Sequence, residues 1–214
     1  MSSAESEKQA AAEAAAALVE DGMTVGLGTG STVAYFLTAL AERRPDVRCI
    51  ATSPQTEQAA RELGLPLEPF EGIARLDLTI DGADQVDPMG WLVKGGGAAH
   101  TREKIAAAAS DRFVVIVSSD KLVEAIAPPV PLELLAFGVD ATLRALGLAE
   151  PRNVPPSPDG GVIADYLGPV EDPGEVADRL AAIPGVVEHG LFPPDLVSEI
   201  LVGRDGNVER IPVT

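Results

Sequence analysis

Short apolar runs alternate with helix-length stretches through the first 127 residues. Residues 6–20 place alanines at helical spacing, broken by charges, and Asp21 and Gly22 end that helix. Residues 23–27 form an apolar strand, and a glycine loop and a helical run over 33–43 follow. The rhythm repeats as a strand at 48–52, a helix at 57–63 stopped by Gly64, a short strand at 65–70 and a strand at 76–80. Asp87, Pro88, Met89 and Gly90 then make a turn before a brief strand at 91–93, a helix at 101–110 and a strand at 112–117. Strands alternating with helices predict a parallel sheet.

The texture changes at Pro128, Pro129 and Pro131. Beyond them the pattern predicts a strand (132–136), a helix (139–146) and a strand (152–154). A turn at Asp159, Gly160 and Gly161 leads to a strand (162–167), a helix (173–183) and a strand (186–192). That order, β-α-β-β-α-β, is the ferredoxin-like pattern. Residues 200–211 read as a hairpin around Asp205 and Gly206, expected to return to the first unit. The expected fold class is α/β: a Rossmann-like parallel-sheet domain over 1–127 plus 193–214, interrupted by an inserted ferredoxin-like domain over 128–192.

Composition narrows the function. The apolar fraction of 46% is ample for a core, yet no apolar run reaches the ~18 residues of a membrane span. The start of the chain has neither the basic segment nor the cleavage pattern of a secretory signal, so cytoplasm is expected. Cys49 is the single cysteine and sits in an apolar run, which reads as a buried small side chain. With only His100 and His189 besides, no zinc site is expected. A net charge of −17 argues against nucleic acid. It leaves room for a small phosphate ester held by a few lysines and backbone N–H groups.

The candidate chemistry lies in loops after strands. Gly28, Thr29, Gly30, Ser31 and Thr32 join a strand to a helix. Their spacing fits neither the dinucleotide fingerprint nor the P-loop, so they read as a small phosphate or sugar site, or simply as a helix capped by Ser31 and Thr32. Ser53 and Thr56 read as capping. Asp81, Gly82, Ala83 and Asp84 place two carboxylates at a strand end, where mutual repulsion would raise a pKa if both entered one pocket; a solvated Asp-Gly turn is the plain alternative. Lys94 precedes Gly95, Gly96 and Gly97 and a helix start, a seat for an oxyanion, with Glu103 in the first helical turn. Glu103 is either a proton carrier or a partner of the helix dipole. Lys121 follows another strand. A parallel sheet would gather all five loops at its carboxyl edge, which favours a site over five separate coincidences.

On these residues the chain resembles type A ribose-5-phosphate isomerases nearly end to end. The resemblance rests on residues 28–32, 81–84, 94–99 with Thr101, Arg102, Glu103 and Lys104, and residues 183–187 through Gly190, Leu191 and Phe192. It implies a Rossmann-like domain with a ferredoxin-like lid, a homodimer or homotetramer, no metal or organic cofactor, and interconversion of ribose 5-phosphate and ribulose 5-phosphate in the pentose phosphate pathway. Position by position, it makes Glu103 the base between C1 and C2, Asp81 the helper in ring opening and proton traffic, and Asp84 a sugar ligand. Lys94 would hold the enediolate oxygen. Thr29, Gly30, Ser31, Thr32, Gly82, Ala83, Gly95, Gly96, Gly97 and Lys121 would contact substrate.

The chain departs from the family pattern at Gln85, usually acidic, at His100, usually aliphatic, in the Ser118, Ser119, Asp120 loop before Lys121, and in lacking an asparagine beside Gly160 and Gly161. Two other classes fit parts of the chain: a sugar-phosphate sensor without catalysis, and related-fold enzymes such as amino-sugar-phosphate deaminases or coenzyme A transferases. Against the sensor stand Glu103, which a pure binder does not need, and the lack of a basic helix-turn-helix segment. Residues 94–104 separate the chain from the others.

Overall fold

A computed structural model describes residues 3–213. The chain opens with α1 (Ser3–Ala16), β1 (Thr24–Leu27), α2 (Ser31–Arg43), β2 (Arg48–Ala51), α3 (Pro54–Glu62) and β3 (Leu78–Asp81). Then come β4 (Gln85–Val86), β5 (Leu92–Val93), α4 (His100–Ala108) and β6 (Phe113–Ser118). The second half runs β7 (Val130–Leu134), α5 (Val139–Leu146), β8 (Ala149–Pro151), β9 (Val162–Tyr166), α6 (Pro173–Ala181), β10 (Val186–His189), β11 (Leu191–Phe192), β12 (Glu199–Arg204) and β13 (Asn207–Pro212).

The main sheet has the order β13-β12-β6-β3-β1-β2, parallel throughout except for the antiparallel edge pair β12–β13. Its inner strands read as continuous apolar runs because both faces are covered: every residue of β1, β3 and β6 is buried. Helix α1 lies close on this sheet because its inward face is small, with Ala11, Ala12, Ala15 and Ala16 fully buried. Arg43 at the end of α2 donates to the carbonyls of Ala16 and Val19, satisfying acceptors past the end of α1. The helix therefore stops at Ala16, short of the predicted 20.

Residues 130–189 form an antiparallel sheet in the order β10-β7-β9-β8, with α5 and α6 in the two crossovers. This is the predicted ferredoxin-like βαββαβ pattern, and the α/β class stands. Val139–Leu146 is helical as predicted. The hairpin returns to the main sheet as predicted, β12 pairing in parallel with β6.

Three further expectations need correction. The strand predicted at 152–154 lies at Ala149–Pro151. Residues 65–70 form no strand; Leu67 makes a single bridge to Cys49. The predicted strand at 186–192 breaks at Gly190, and its two halves join different sheets. A small third sheet, β11-β5-β4, therefore links the two larger ones. Its strands are two residues each, too short to leave a periodic signal.

Candidate active site

Four loops leave the carboxyl edge of the main sheet, after β1, β2, β3 and β6. The fifth, which begins at Lys94, comes instead from β5 in the small sheet. It reaches the same place because β4 and β5 form a hairpin off the end of β3, with the Asp84 N–H bonded to the Val93 carbonyl at 2.8 Å.

All of these loops but the one after β2 enclose a cavity of about 230 Å³. Every residue expected to bind substrate lines it except Asp81: Thr29, Gly30, Ser31, Thr32, Gly82, Ala83, Asp84, Lys94, Gly95, Gly96, Gly97 and Lys121. Glu103 lines it as well. A larger cavity, about 660 Å³, opens between β2, α3 and α4, but no lysine and none of the expected site residues line it.

Asp81 sits behind the wall, fully buried. Its Oδ1 accepts from the N–H groups of Thr29 (3.0 Å) and Gly82 (2.7 Å), and its Oδ2 lies 2.8 Å from Lys94 Nζ. The β1 loop comes so close that a Cβ on Gly28 would sit 2.1 Å from the Asp81 carboxylate, which only glycine avoids. Lys94 Nζ is also 3.2 Å from Glu103 Oε2 and donates to the Gly82 carbonyl at 2.5 Å. Asp81 Oδ2 and Glu103 Oε2 are ion-paired with this ammonium but have no aligned hydrogen bond among the described residues.

Three charged groups thus share one dry spot. Burial pushes the Glu103 carboxyl up to about 8, with the Asp81 charge adding to it and Lys94 opposing. Asp81 is raised too, chiefly by burial, against the pull of Lys94. For Lys94 burial opposes the charge, but Asp81 and then Glu103 outweigh it and hold the amine at about 12. The repelling carboxylates are therefore Asp81 and Glu103, not Asp81 and Asp84 as the Asp-Gly-Ala-Asp spacing implied. Asp84 instead accepts from the Gly96 N–H at 2.8 Å, so one of the three glycine N–H groups is already engaged.

At the other end α2 begins. Its cap is Gly30, with no side-chain cap bond, so Ser31 and Thr32 are helical residues and not the predicted caps. Ser53 does cap α3, accepting from the Thr56 N–H at 3.1 Å, but it also receives the Thr29 hydroxyl at 2.8 Å. Thr56 donates to the Gly28 carbonyl at 2.7 Å. The β2 loop thus buttresses the β1 loop and stays out of the cavity.

Sequence reasoning missed Lys8, which lines the cavity and donates to Ser31 Oγ at 3.0 Å. Its neighbour Glu7 accepts from the N–H and hydroxyl of Ser119, pinning α1 to the loop that bears Lys121. The one hint was a Glu-Lys pair in an alanine run. The departures from the family pattern point elsewhere. Gln85 makes paired bonds with the Ala127 backbone at 2.7 and 2.9 Å, and His100 is fully buried behind the glycine loop. Lys104, though in the Lys94 motif, turns away to Glu188 and the His189 carbonyl.

Fold and site together define an α/β enzyme with a small, lysine-lined cavity at the ends of its strands. Residues 48–207 match the family model of ribose 5-phosphate isomerase A, and residues 3–64 match that of the DeoR C-terminal sensor domain. A ribose-5-phosphate isomerase A of Caulobacter vibrioides is 45% identical over 98% of this chain and 99% of its own. One from Natronomonas pharaonis is 46% identical over 96% of each. A solved D-ribose-5-phosphate isomerase in complex with phospho-erythronic acid superposes with a TM-score of 0.92 at 35% identity, covering 99% of this chain and 100% of that one. The chain belongs to the ribose 5-phosphate isomerase A family and is an isomerase.

Proposed function

We propose that the protein interconverts D-ribose 5-phosphate and D-ribulose 5-phosphate through a cis-enediolate, with Glu103 as the general base. The observation that carries this is the Glu103 carboxylate, buried yet on the cavity wall, 3.2 Å from an ammonium and raised to about 8. A base poised near the working pH suits removal of a proton from carbon.

The phosphate end is the start of α2, where Lys8, Lys121, Ser31 and Thr32 surround helical N–H groups. The sugar then points its C1–C2 end at Lys94 and Glu103, past Asp84. Glu103 takes the C2 proton, the electron pair forms the C1–C2 double bond, and O1 gains the charge that Lys94 stabilises. The O2 hydroxyl proton passes to O1, the C2 carbonyl forms, and Glu103 returns its proton to C1. Asp81 contributes from behind the wall: it keeps Lys94 charged and, by accepting the Thr29 and Gly82 N–H groups, fixes the two loops that carry them. We assign it the proton relay at the sugar oxygens through Lys94.

The reading extends to a catalytic domain of residues 1–127 plus 193–214, a lid of 128–192, a homodimer or homotetramer, and a cytoplasmic place in the pentose phosphate pathway. No helix among the described residues is long and apolar enough to cross a membrane. Light scattering after gel filtration checks the oligomer.

The test is proton exchange. The protein is incubated with ribose 5-phosphate in heavy water without added metal, and ketose and deuterium at C1 are followed by NMR. Ketose with C1 deuterium, lost in Glu103→Gln, is the expected result. Equal turnover in Glu103→Gln overturns the base assignment. Binding of ribose 5-phosphate without any ketose favours the sensor reading that the match over residues 3–64 raises.

A further inference from the structure

We propose that Arg152, on the ferredoxin-like unit, is a positioning residue that holds the Gly96 N–H against Asp84 on the cavity wall by gripping the Gly95 carbonyl. This rests on the isomerase reading above. Arg152 lies just past β8 and no part of it lines the cavity. Its guanidinium is clamped by Asp165 of β9 through two bonds, Nε to Oδ2 at 2.7 Å and Nη2 to Oδ1 at 2.6 Å. The remaining nitrogen, Nη1, donates to the Gly95 carbonyl at 2.8 Å. A two-point carboxylate clamp fixes the plane of an arginine fork and hence the direction of its third donor.

The consequence follows from peptide geometry. A trans peptide is planar, with its carbonyl and its N–H pointing opposite ways. The only cis peptide among the described residues is Pro128–Pro129, so the 95–96 bond is trans. Drawing the Gly95 oxygen toward Arg152 therefore turns the Gly96 N–H the other way, where it meets Asp84 Oδ2 at 2.8 Å on the cavity wall. Apart from the clamp, this peptide is held at its N–H end by Asp84. Gly95 has φ +115°, open only to glycine, and a glycine-rich stretch rotates freely. Its other fixed contact is the turn bond from the Ala98 N–H at 3.1 Å. One residue earlier, the Lys94 N–H is bonded to the Gly190 carbonyl at 2.9 Å. The second unit thus grips both the backbone of the buried lysine and the peptide that follows it.

The test compares Arg152→Ala, Asp165→Asn and Asp159→Asn with wild type. Asp159 takes part in a second two-point ion pair, which joins the units through Arg102 at 2.7 Å but does not touch the glycine loop. With ribose 5-phosphate, Arg152→Ala should lose at least tenfold in kcat/KM, with KM raised. Asp165→Asn should lose threefold or more, and Asp159→Asn should stay within twofold. Competitive inhibition by inorganic phosphate should be unchanged in all three, because the phosphate end is built on α1, α2 and the loop after β6. The acid limb of the pH profile should stay put, because Glu103 remains buried. A folded Arg152→Ala within twofold of wild type overturns the proposal, as does an equal loss in Asp159→Asn or a shifted acid limb. If Arg152→Ala does not fold, Asp165→Asn decides on the same readouts. A wild type that turns over no ribose 5-phosphate sinks the isomerase reading itself, a distinct outcome.

Discussion

Replacing Glu103 by glutamine should abolish turnover and, at alkaline pH, make the protein more stable. The side chain is 3% exposed and its carboxyl is raised from the usual 4.5 to about 8. The folded state therefore holds the proton more tightly than the unfolded chain. Stability from this group is fully present below about 4.5 and is lost as pH rises to about 8. At about 1.4 kcal/mol per pH unit the window sets a ceiling of about 5 kcal/mol. Lys94 and Asp81 readjust their own charges when Glu103 ionises, so we expect about 2 kcal/mol in practice. Glutamine matches the protonated acid in shape and never ionises. At pH 5 the variant and wild type should melt together. At pH 9 the variant should melt about 4–8 °C higher, as a gain of about 2 kcal/mol implies for a chain of this size. Thermal unfolding by circular dichroism at both pH values reads this, and the isomerase assay should show a loss of about 10²–10⁴ in kcat. A melting difference that is the same at pH 5 and pH 9 would refute the raised, buried carboxylate.

The same ionisation predicts that kcat/KM falls below about pH 8, tenfold per pH unit, since only the carboxylate accepts a proton; a limb near pH 4 to 5 in a pH–rate profile would contradict it. Lys94→Met removes the ammonium that favours both carboxylates, so kcat should drop about 10²-fold or more and the acid limb should move above 8, as steady-state kinetics across pH would show. Lys8→Ala should raise KM for ribose 5-phosphate about tenfold, the worth of one charge-assisted contact, and leave kcat within about threefold; an unchanged KM at low salt would place the phosphate elsewhere.

Much of the cavity was legible because each loop follows a strongly apolar strand. Strands such as Phe113–Ser118, buried at every position, leave unbroken runs that the eye finds, and the polar residues just after them fall at one sheet edge. What pattern reading lost was tertiary. Lys8 lies on a helix whose alanines report packing, and nothing local says which way one lysine faces. The capping role assigned to Ser31 and Thr32 failed because Gly30 already turns the chain, with φ +130°, and the Ser31 hydroxyl accepts from Lys8 instead. Asp81 and Asp84, close in sequence, work on different partners because Asp81 still belongs to β3 while Asp84 has left it. The third sheet was missed, although a brief strand was expected at 91–93, since it forms only when the short β4–β5 hairpin meets the distant β11.

The strand order β13-β12-β6-β3 has a consequence for how the chain is made. Residues 199–204 are made well after β6, with the whole 4-stranded unit in between, yet they pair with β6, the strand that leads to Lys121. Until they arrive, the apolar flank of β6 is an open edge, and an open edge recruits other chains. The 4-stranded unit, whose partners all lie within residues 130–189, can close first and wait. The second unit can therefore assemble before the first sheet is complete, and the loop that bears Lys121 waits for β12 to cover the edge of β6.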